Sequence, residues 1–170
     1  MQKIAKFEKV SFEQFEKDWK KAFPDTADET VRQIYDDLKL PQRATKGSAG
    51  YDFTAPVRIE MKAGSQILIP TGIRAKIENG FVLLLFPRSS LGFKYRMQLD
   101  NTCGVIDSDY YEAANEGHIM CKLINDSRDG RTLTVEAGQG MVQGIFVPFG
   151  ITEDDEADAQ RTGGIGSTTR

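Results

Sequence analysis

Residues 66–87 read QILIPTGIRAKIENGFVLLLFP. Two apolar runs stand in this stretch, Gln66–Pro70 and Gly80–Pro87, and the pair Asn79-Gly80 introduces the second. The runs are short and dominated by Val, Ile and Leu, as strands are, and Asn-Gly suits a tight turn. The pattern recurs in His118–Ile124, Thr132–Glu136 and Met141–Pro148, with Asp129-Gly130 as a second turn pair. No segment between the runs is long enough to form the helices that link parallel strands. Residues 47–150 therefore predict an all-β barrel or sandwich rather than an α/β sheet.

Residues 1–46 differ in kind and are densely charged. Ile4, Lys6 and Glu8 alternate with Ala5, Phe7 and Lys9 in a short strand-like pattern. Ser11-Phe12-Glu13-Gln14 then has the S-x-x-Q form of a capping box. Phe12, Phe15, Trp19 and Phe23 follow at helical spacing and share one face, and Pro24-Asp25 ends that helix. Thr26 or Asp28 is placed to cap a second helix, with Val31, Ile34, Tyr35 and Leu38 as its stripe and Pro41 as its stop. The 11–40 segment is thus a helical insertion. It either folds onto the main body, as aromatic stripes at this spacing usually do, or offers a docking surface to another protein. At the other end, residues 151–170 begin with the acidic run Glu153–Glu156 and finish in Arg161-Thr162-Gly163-Gly164-Ile165-Gly166-Ser167-Thr168, a flexible arm by composition.

A chain of 170 residues fits a single domain, 1–170, and 39% hydrophobic residues suffice for its core. The net charge of −3 argues against gripping a nucleic-acid backbone but leaves room for a small anionic substrate met by a few cations. His118 is the single histidine, which excludes two-histidine zinc chemistry within one chain. Cys103 and Cys121 lack CxxC spacing and read as free thiols of a reducing compartment. The opening MQKIAKFEKV has no apolar run of signal-peptide type, and no stretch reaches membrane-span length. The expectation is a cytoplasmic protein with no membrane contact.

Four stretches hold chemistry-bearing side chains. The tail places three glycines and two hydroxyls near Arg161, a composition that cradles phosphate or merely makes a polar tail. Phe86-Pro87-Arg88-Ser89-Ser90-Leu91-Gly92 leaves an apolar run onto a cation and two hydroxyls; it is an anion site or an ordinary turn. Asn101 through Tyr111 reads as a hairpin that presents an amide, the carboxylate of Asp107 and an aromatic ring, or simply a polar tip. Gln143 interrupts a buried strand, and a buried amide must bond either the backbone or a ligand.

Taken together and in this order, the stretches resemble one family. Ala49-Gly50-Tyr51-Asp52, Pro87 to Gly92, Gly104-Val105-Ile106-Asp107-Ser108-Asp109-Tyr110, Gly140 to Phe146 and Arg161 to Thr168 look like the five ordered motifs of the trimeric dUTPases. The likeness spans roughly residues 40–170. Asp109-Tyr110-Tyr111 through Asn115-Glu116-Gly117-His118-Ile119 further resembles the Gram-positive bacterial and phage branch. The resemblance implies a distorted jelly-roll barrel, a homotrimer with active sites at subunit contacts, and magnesium-dependent hydrolysis of dUTP to dUMP and pyrophosphate. By matched position, Asp107 activates the attacking water and Tyr110 packs under the deoxyribose, where a 2′-hydroxyl would clash. Asn101 reads the uracil edge. Arg88, Ser89 and Ser90 meet phosphate from a neighbouring subunit, and Gln143 meets phosphate or a metal-bound water. Gly104, Gly163, Gly164, Ile165 and Ser167 complete the substrate contacts. Arg161 reaches the terminal phosphate when the arm closes over the active site. Asp52 is the motif carboxylate. No direct protein ligand to magnesium is expected, because the ion is held by triphosphate and waters.

Two positions depart from the pattern. Ile165 stands where the family has a Phe that stacks on uracil, so the lid packs by aliphatic contact or Phe93 or Tyr111 takes the role. Thr168-Thr169-Arg170 replaces the usual Gly ending. Two other functions compete: dCTP deamination on a related fold, which the Gly104–Tyr110 motif argues against, and a non-enzymatic role in which 11–40 binds a regulatory protein.

Overall fold

The computed structural model describes residues 2–158 and Gly163. In chain order the strands are β1 (Ala5–Lys9), β2 (Gln42–Arg43), β3 (Tyr51–Thr54), β4 (Ile59–Met61), β5 (Gln66–Pro70), β6 (Ile73–Ile77) and β7 (Phe81–Pro87). They continue as β8 (Met97–Leu99), β9 (Gly104–Ile106), β10 (Met120–Asn125), β11 (Leu133–Val135) and β12 (Gly140–Pro148). Helices α1 (Phe12–Ala22) and α2 (Asp28–Asp37) follow β1, α3 (Ser89–Tyr95) follows β7, and a 3-10 turn covers Ser108–Glu112.

The strands form four antiparallel sheets, β1-β6, β5-β10-β8, β11-β4 and β2-β3-β12-β7-β9. This is a jelly-roll-like β fold, as expected. Its sheets wrap one core, but among the described residues they do not join into a single closed ladder. Phe53, Leu83, Leu85, Leu123, Leu133 and Met141 fill that core, each no more than 1% exposed. Those on β7, β10 and β11 alternate with less buried neighbours, the period-two pattern of a one-sided sheet.

Both turn pairs lie where the chain turns between runs, as expected. Gly80 and Gly130 do take positive φ, 86° and 75°. Yet β6 pairs with β1 while β7 pairs with β12 and β9, so Asn79-Gly80 connects two sheets rather than closing a hairpin. The same holds for Asp129-Gly130, since β10 pairs with β5 and β8, and β11 with β4. Nor is Asn101–Tyr111 a hairpin: β8 pairs with β10 and β9 with β7. Phe86–Gly92, read as an anion site or an ordinary turn, holds the start of a helix: α3 begins at Ser89.

The insertion folds onto the body. Phe15, Trp19, Val31 and Ile34 join Val10 in a second buried cluster, with Phe12, Tyr35 and Leu38 against it. Ser11 caps α1 as the box predicts, its Oγ accepting the Gln14 N–H at 3.1 Å. The return half of the box is replaced. The Ser11 N–H donates to Glu116 at 2.7 Å, and Gln14 Nε2 donates to Asp18 at 2.7 Å. Neither Thr26 nor Asp28 caps α2; Ala27 holds the N-cap position. The Thr26 hydroxyl is engaged instead, accepting from Trp19 Nε1 at 3.2 Å and donating to the Phe23 carbonyl at 3.0 Å. At the far end of α2, Lys9 Nζ of β1 donates to the carbonyls of Tyr35 (2.7 Å) and Asp36 (3.2 Å). It adds a positive charge at a helix end that has no basic residue in its last turn, where the Leu38 N–H already bonds the Tyr35 carbonyl.

Phe15 is wholly buried, with its ring 5.3 Å from Trp19, 5.5 Å from Tyr35 and 6.2 Å from His118. Phe15→Ala is expected to cost about 3–5 kcal/mol, because the rigid neighbours cannot collapse into the space. Urea melts of both proteins check this; a midpoint within error of the parent contradicts a stabilising role for the insertion.

Candidate active site

Asp52, Gln143 and Arg88 come together on three adjacent strands. Gln143 of β12 stands opposite Asp52 of β3 on one side and Phe86 of β7 on the other. Arg88 follows β7, and its guanidinium Nη1 donates to Asp52 Oδ2 in an ion pair. Gln143 Nε2 donates to the Pro87 carbonyl at 3.4 Å. The amide thus bonds the backbone through its nitrogen, while its oxygen faces Gly50.

Two glycines make the cluster possible by what they lack. A Cβ on Gly140 would lie 2.7 Å from Arg88 Nη1, and one on Gly50 would lie 2.7 Å from Gln143 Oε1. Any larger residue would push the arginine or the amide out of place. Both stand within the quoted motifs, but neither was singled out from the sequence. What they accommodate comes from other strands and has no local signature. A groove of about 580 Å³, lined by Lys39, Gln42, Arg43, Asp52 and Thr54 among others, meets this cluster at Asp52. Ser89 and Ser90 open α3, and both are exposed.

The second group lies along β9. Asn101 is exposed in the turn before it, where its carbonyl accepts the Cys103 N–H at 2.8 Å. Gly104 is opposite Leu85 of β7, and a Cβ there would stand 3.1 Å from that side chain. Asp107 follows Ile106, is exposed, and holds the N-cap position of the 3-10 turn. Tyr110 is 2% exposed. Its hydroxyl donates to the His118 carbonyl at 2.7 Å and accepts from Asn115 Nδ2 at 2.7 Å.

The two groups are set apart by the sheet register. Ile106 faces Leu83, so Asp107 stands near the level of Val82, whereas Arg88 lies past the opposite end of β7. At about 3.3 Å per residue the two levels are roughly 20 Å apart. Within one chain Asp107 and Arg88 therefore stand at opposite ends of β7.

Other side chains are accounted for. The Tyr111 hydroxyl donates to Glu8, and Arg74 sits over its ring with Cζ 4.3 Å from the centroid. Tyr111 is thereby committed to this cluster, which leaves Phe93, 90% exposed on α3, as the available ring of the two named for base stacking. Hydrogen bonds from Lys6 and then Tyr111 hold the Glu8 carboxyl down at about 2, so it stays ionised. His118 is fully buried; its Nε2 accepts the Gly72 N–H at 2.8 Å and its Nδ1 lies 2.6 Å from Asp18 Oδ2. Burial raises the Asp18 carboxyl, but the hydrogen bonds from His118 and Gln14 outweigh it and leave it below its ordinary value. Both cysteines are free, and burial pushes the Cys121 thiol up to about 12, as for a packing residue.

Among the described residues no three His, Cys, Asp or Glu side chains converge on one point, and no helix is long and apolar enough to cross a membrane. Ile151–Asp158 are exposed and form neither helix nor strand. Gly163 is half-buried in a bend. Arg161, Gly164, Ile165 and Ser167 lie outside the described residues.

The chain is similar to known proteins along most of its length. The dUTPase family model matches residues 36–169. The deoxyuridine 5'-triphosphate nucleotidohydrolase of Lactococcus lactis is 40% identical over 134 residues, covering 77% of this chain and 88% of its own. That of Pectobacterium carotovorum is 40% identical over 139 residues, covering 77% and 87%. The dUTPase structure from Streptococcus mutans superposes with a TM-score of 0.63 at 38% identity, over 86% of this chain and 98% of that one. A point mutant of the dUTPase from phage phi11 of S. aureus, described with a structural Mg(II) ion, shares the fold at 20% identity and a TM-score of 0.57, over 72% and 91%. Five ordered motifs, the strand register that arranges them and these relatives converge: the chain belongs to the dUTPase family and hydrolyses dUTP to dUMP and pyrophosphate.

Proposed function

We propose that the working enzyme is a homotrimer in which Asp107 of one subunit and the Arg88 cluster of the next act on the same dUTP. The observation that carries this reading is their separation along β7 within one chain. Asp107 accepts a proton from water, whose oxygen then bonds to phosphorus as the α–β phosphoanhydride breaks, giving dUMP and pyrophosphate. An exposed carboxylate suits that step. Tyr110, fixed from behind by His118 and Asn115, forms a floor under the deoxyribose, and Asn101 offers both a donor and an acceptor to uracil. Arg88, Ser89, Ser90 and Gln143 hold phosphate oxygens, with Arg88 kept in register by Asp52. Arg161 and the glycines after it close on the terminal phosphate.

Magnesium fits these residues as an ion carried on the triphosphate. Asp107 and Asp109 are exposed carboxylate residues that would meet the ion's waters, and among the described residues no protein cage converges on one point. When bound, the ion neutralises phosphate charge and aids pyrophosphate departure. Work on the free nucleotide pool suits a cytoplasmic enzyme.

Mixing separates the shared-site reading from a single-chain one. Asp107→Asn and Arg88→Ala chains, each inactive alone, are denatured together, refolded and assayed for pyrophosphate release. About a quarter of randomly assembled sites pair an intact Asp107 with an intact Arg88 cluster, so about a quarter of parental activity is expected. No recovery in a mixture that has assembled contradicts sites shared between subunits.

A further inference from the structure

The helical insertion and the seat of Tyr110 share one loop. Residues 113–119 belong to no helix or strand, and two of them in succession, Glu116 (φ 57°) and Gly117 (φ 67°), take the left-handed conformation. For Glu116 that conformation is unfavourable and must be held from outside. At Gly117 a Cβ would lie 2.7 Å from the Tyr110 carbonyl oxygen and 2.8 Å from Tyr111 Cα, so this turn presses directly on the backbone that carries the ring. The Tyr110 hydroxyl lies 2.7 Å from each of two members of the same loop, the His118 carbonyl and Asn115 Nδ2.

The loop is gripped from two sides, by Thr71–Ile73 of the body at Ile119 and His118 and by α1 at Glu116 and His118. Ser11, its N-cap, binds the Glu116 carboxylate twice, by its N–H at 2.7 Å and its hydroxyl at 2.5 Å. Asp18, two turns on, accepts from His118 Nδ1 at 2.6 Å. That bond places the ring proton on Nδ1 and leaves Nε2 as acceptor for the Gly72 N–H at 2.8 Å, which fixes the ring between insertion and body. The carbonyl of this same residue positions the Tyr110 hydroxyl. We propose that Asp18 is a positioning residue for Tyr110, acting through His118, so that preference for deoxyribose over ribose depends on the helical insertion. The proposal rests on the reading of Tyr110 as the floor beneath the sugar.

The test compares kcat and KM for dUTP and UTP, with magnesium, in the full-length protein and in variants whose fold is checked by circular dichroism. Asp18→Ala is expected to lower the dUTP-over-UTP ratio of kcat/KM about tenfold, mainly through a higher KM for dUTP and a gain with UTP. Asp18→Asn retains an acceptor oxygen for the imidazole N–H and restores the ratio to within about twofold of the parent. A role in stability alone would reduce the folded fraction and slow both nucleotides equally, leaving the ratio unchanged; that result overturns the proposal. So does a folded Asp18→Asn that is no better than Asp18→Ala. If Asp18→Ala does not fold, Ser11→Ala, which removes one of the two bonds to the half-buried Glu116, carries the same expected direction, and an unchanged ratio there overturns it. Failure of the parent protein to hydrolyse dUTP would instead overturn the underlying enzymatic reading.

Discussion

Asp107→Asn is expected to lower kcat by about a thousandfold or more while dUTP still binds. The two side chains have nearly the same shape, so the turn that Asp107 opens before Tyr110 is preserved. What changes is basicity: an amide cannot take a proton from water at neutral pH. Removal of the negative charge also lessens repulsion of the triphosphate, so affinity for dUTP is expected to hold or rise. Single-turnover pyrophosphate release, read beside calorimetric titration with dUTP, separates the two effects. Turnover within about tenfold of the parent would remove Asp107 from the role of base, since general-base catalysis typically supplies more than that.

Truncation after Asp158 is expected to lower kcat about a hundredfold or more without loosening the body of the protein. The physical reason lies in where burial stops. Among the described residues the last buried position is Gly144, β12 ends at Pro148, and Ile151–Asp158 are exposed. Removal of residues 159–170 therefore leaves the described core intact, and the melting temperature is expected to stay within about 2 °C of the parent. The arm's contribution is instead to transition-state charge, through the fork of Arg161 and the backbone N–H groups that closely spaced glycines expose. Arg161→Ala in the full chain is expected to account for most of the loss. An unaffected rate in the truncated protein would exclude the arm from the mechanism.

These outcomes bear on how far the sequence alone reaches. Gln66–Pro70, Gly80–Pro87 and Met141–Pro148 were legible as strands to within a residue because short Val-, Ile- and Leu-rich runs bounded by turn residues are a local signal. Their partners were not. Asn79-Gly80 and Asp129-Gly130 show where the chain turns, but sheet membership depends on contacts far along the chain, and both turns cross between sheets. Helix α3 was missed because SSLGFKY is short, contains a glycine and lies just after a proline, so the turn signal dominates it. In the insertion the aromatic stripe was read correctly, yet Ala27 takes the cap position since the Thr26 hydroxyl has a partner in Trp19.

The candidate site divides in the same way. Asp52, Arg88 and Gln143 could be named by motif, but the Arg88–Asp52 pair joins residues 36 apart in sequence and appears only in three dimensions. Gly50 and Gly140 matter for the space they leave, which no single-residue reading detects. His118 was legible only as the sole histidine of a protein whose chemistry needs none. Its place between Asp18, Gly72 and Tyr110 depends on the insertion having folded onto the body.

The central claim is a dUTP-specific hydrolase whose sites are completed between subunits. It is tested most directly by measuring pyrophosphate release from dUTP, dCTP, dTTP and UTP with magnesium, on a sample whose solution mass is determined in the same buffer. The account predicts release from dUTP far above the other three, from a particle of three times 19.0 kDa. Absence of release from dUTP, deamination of dCTP in its place, or full activity from a particle of 19.0 kDa would contradict it.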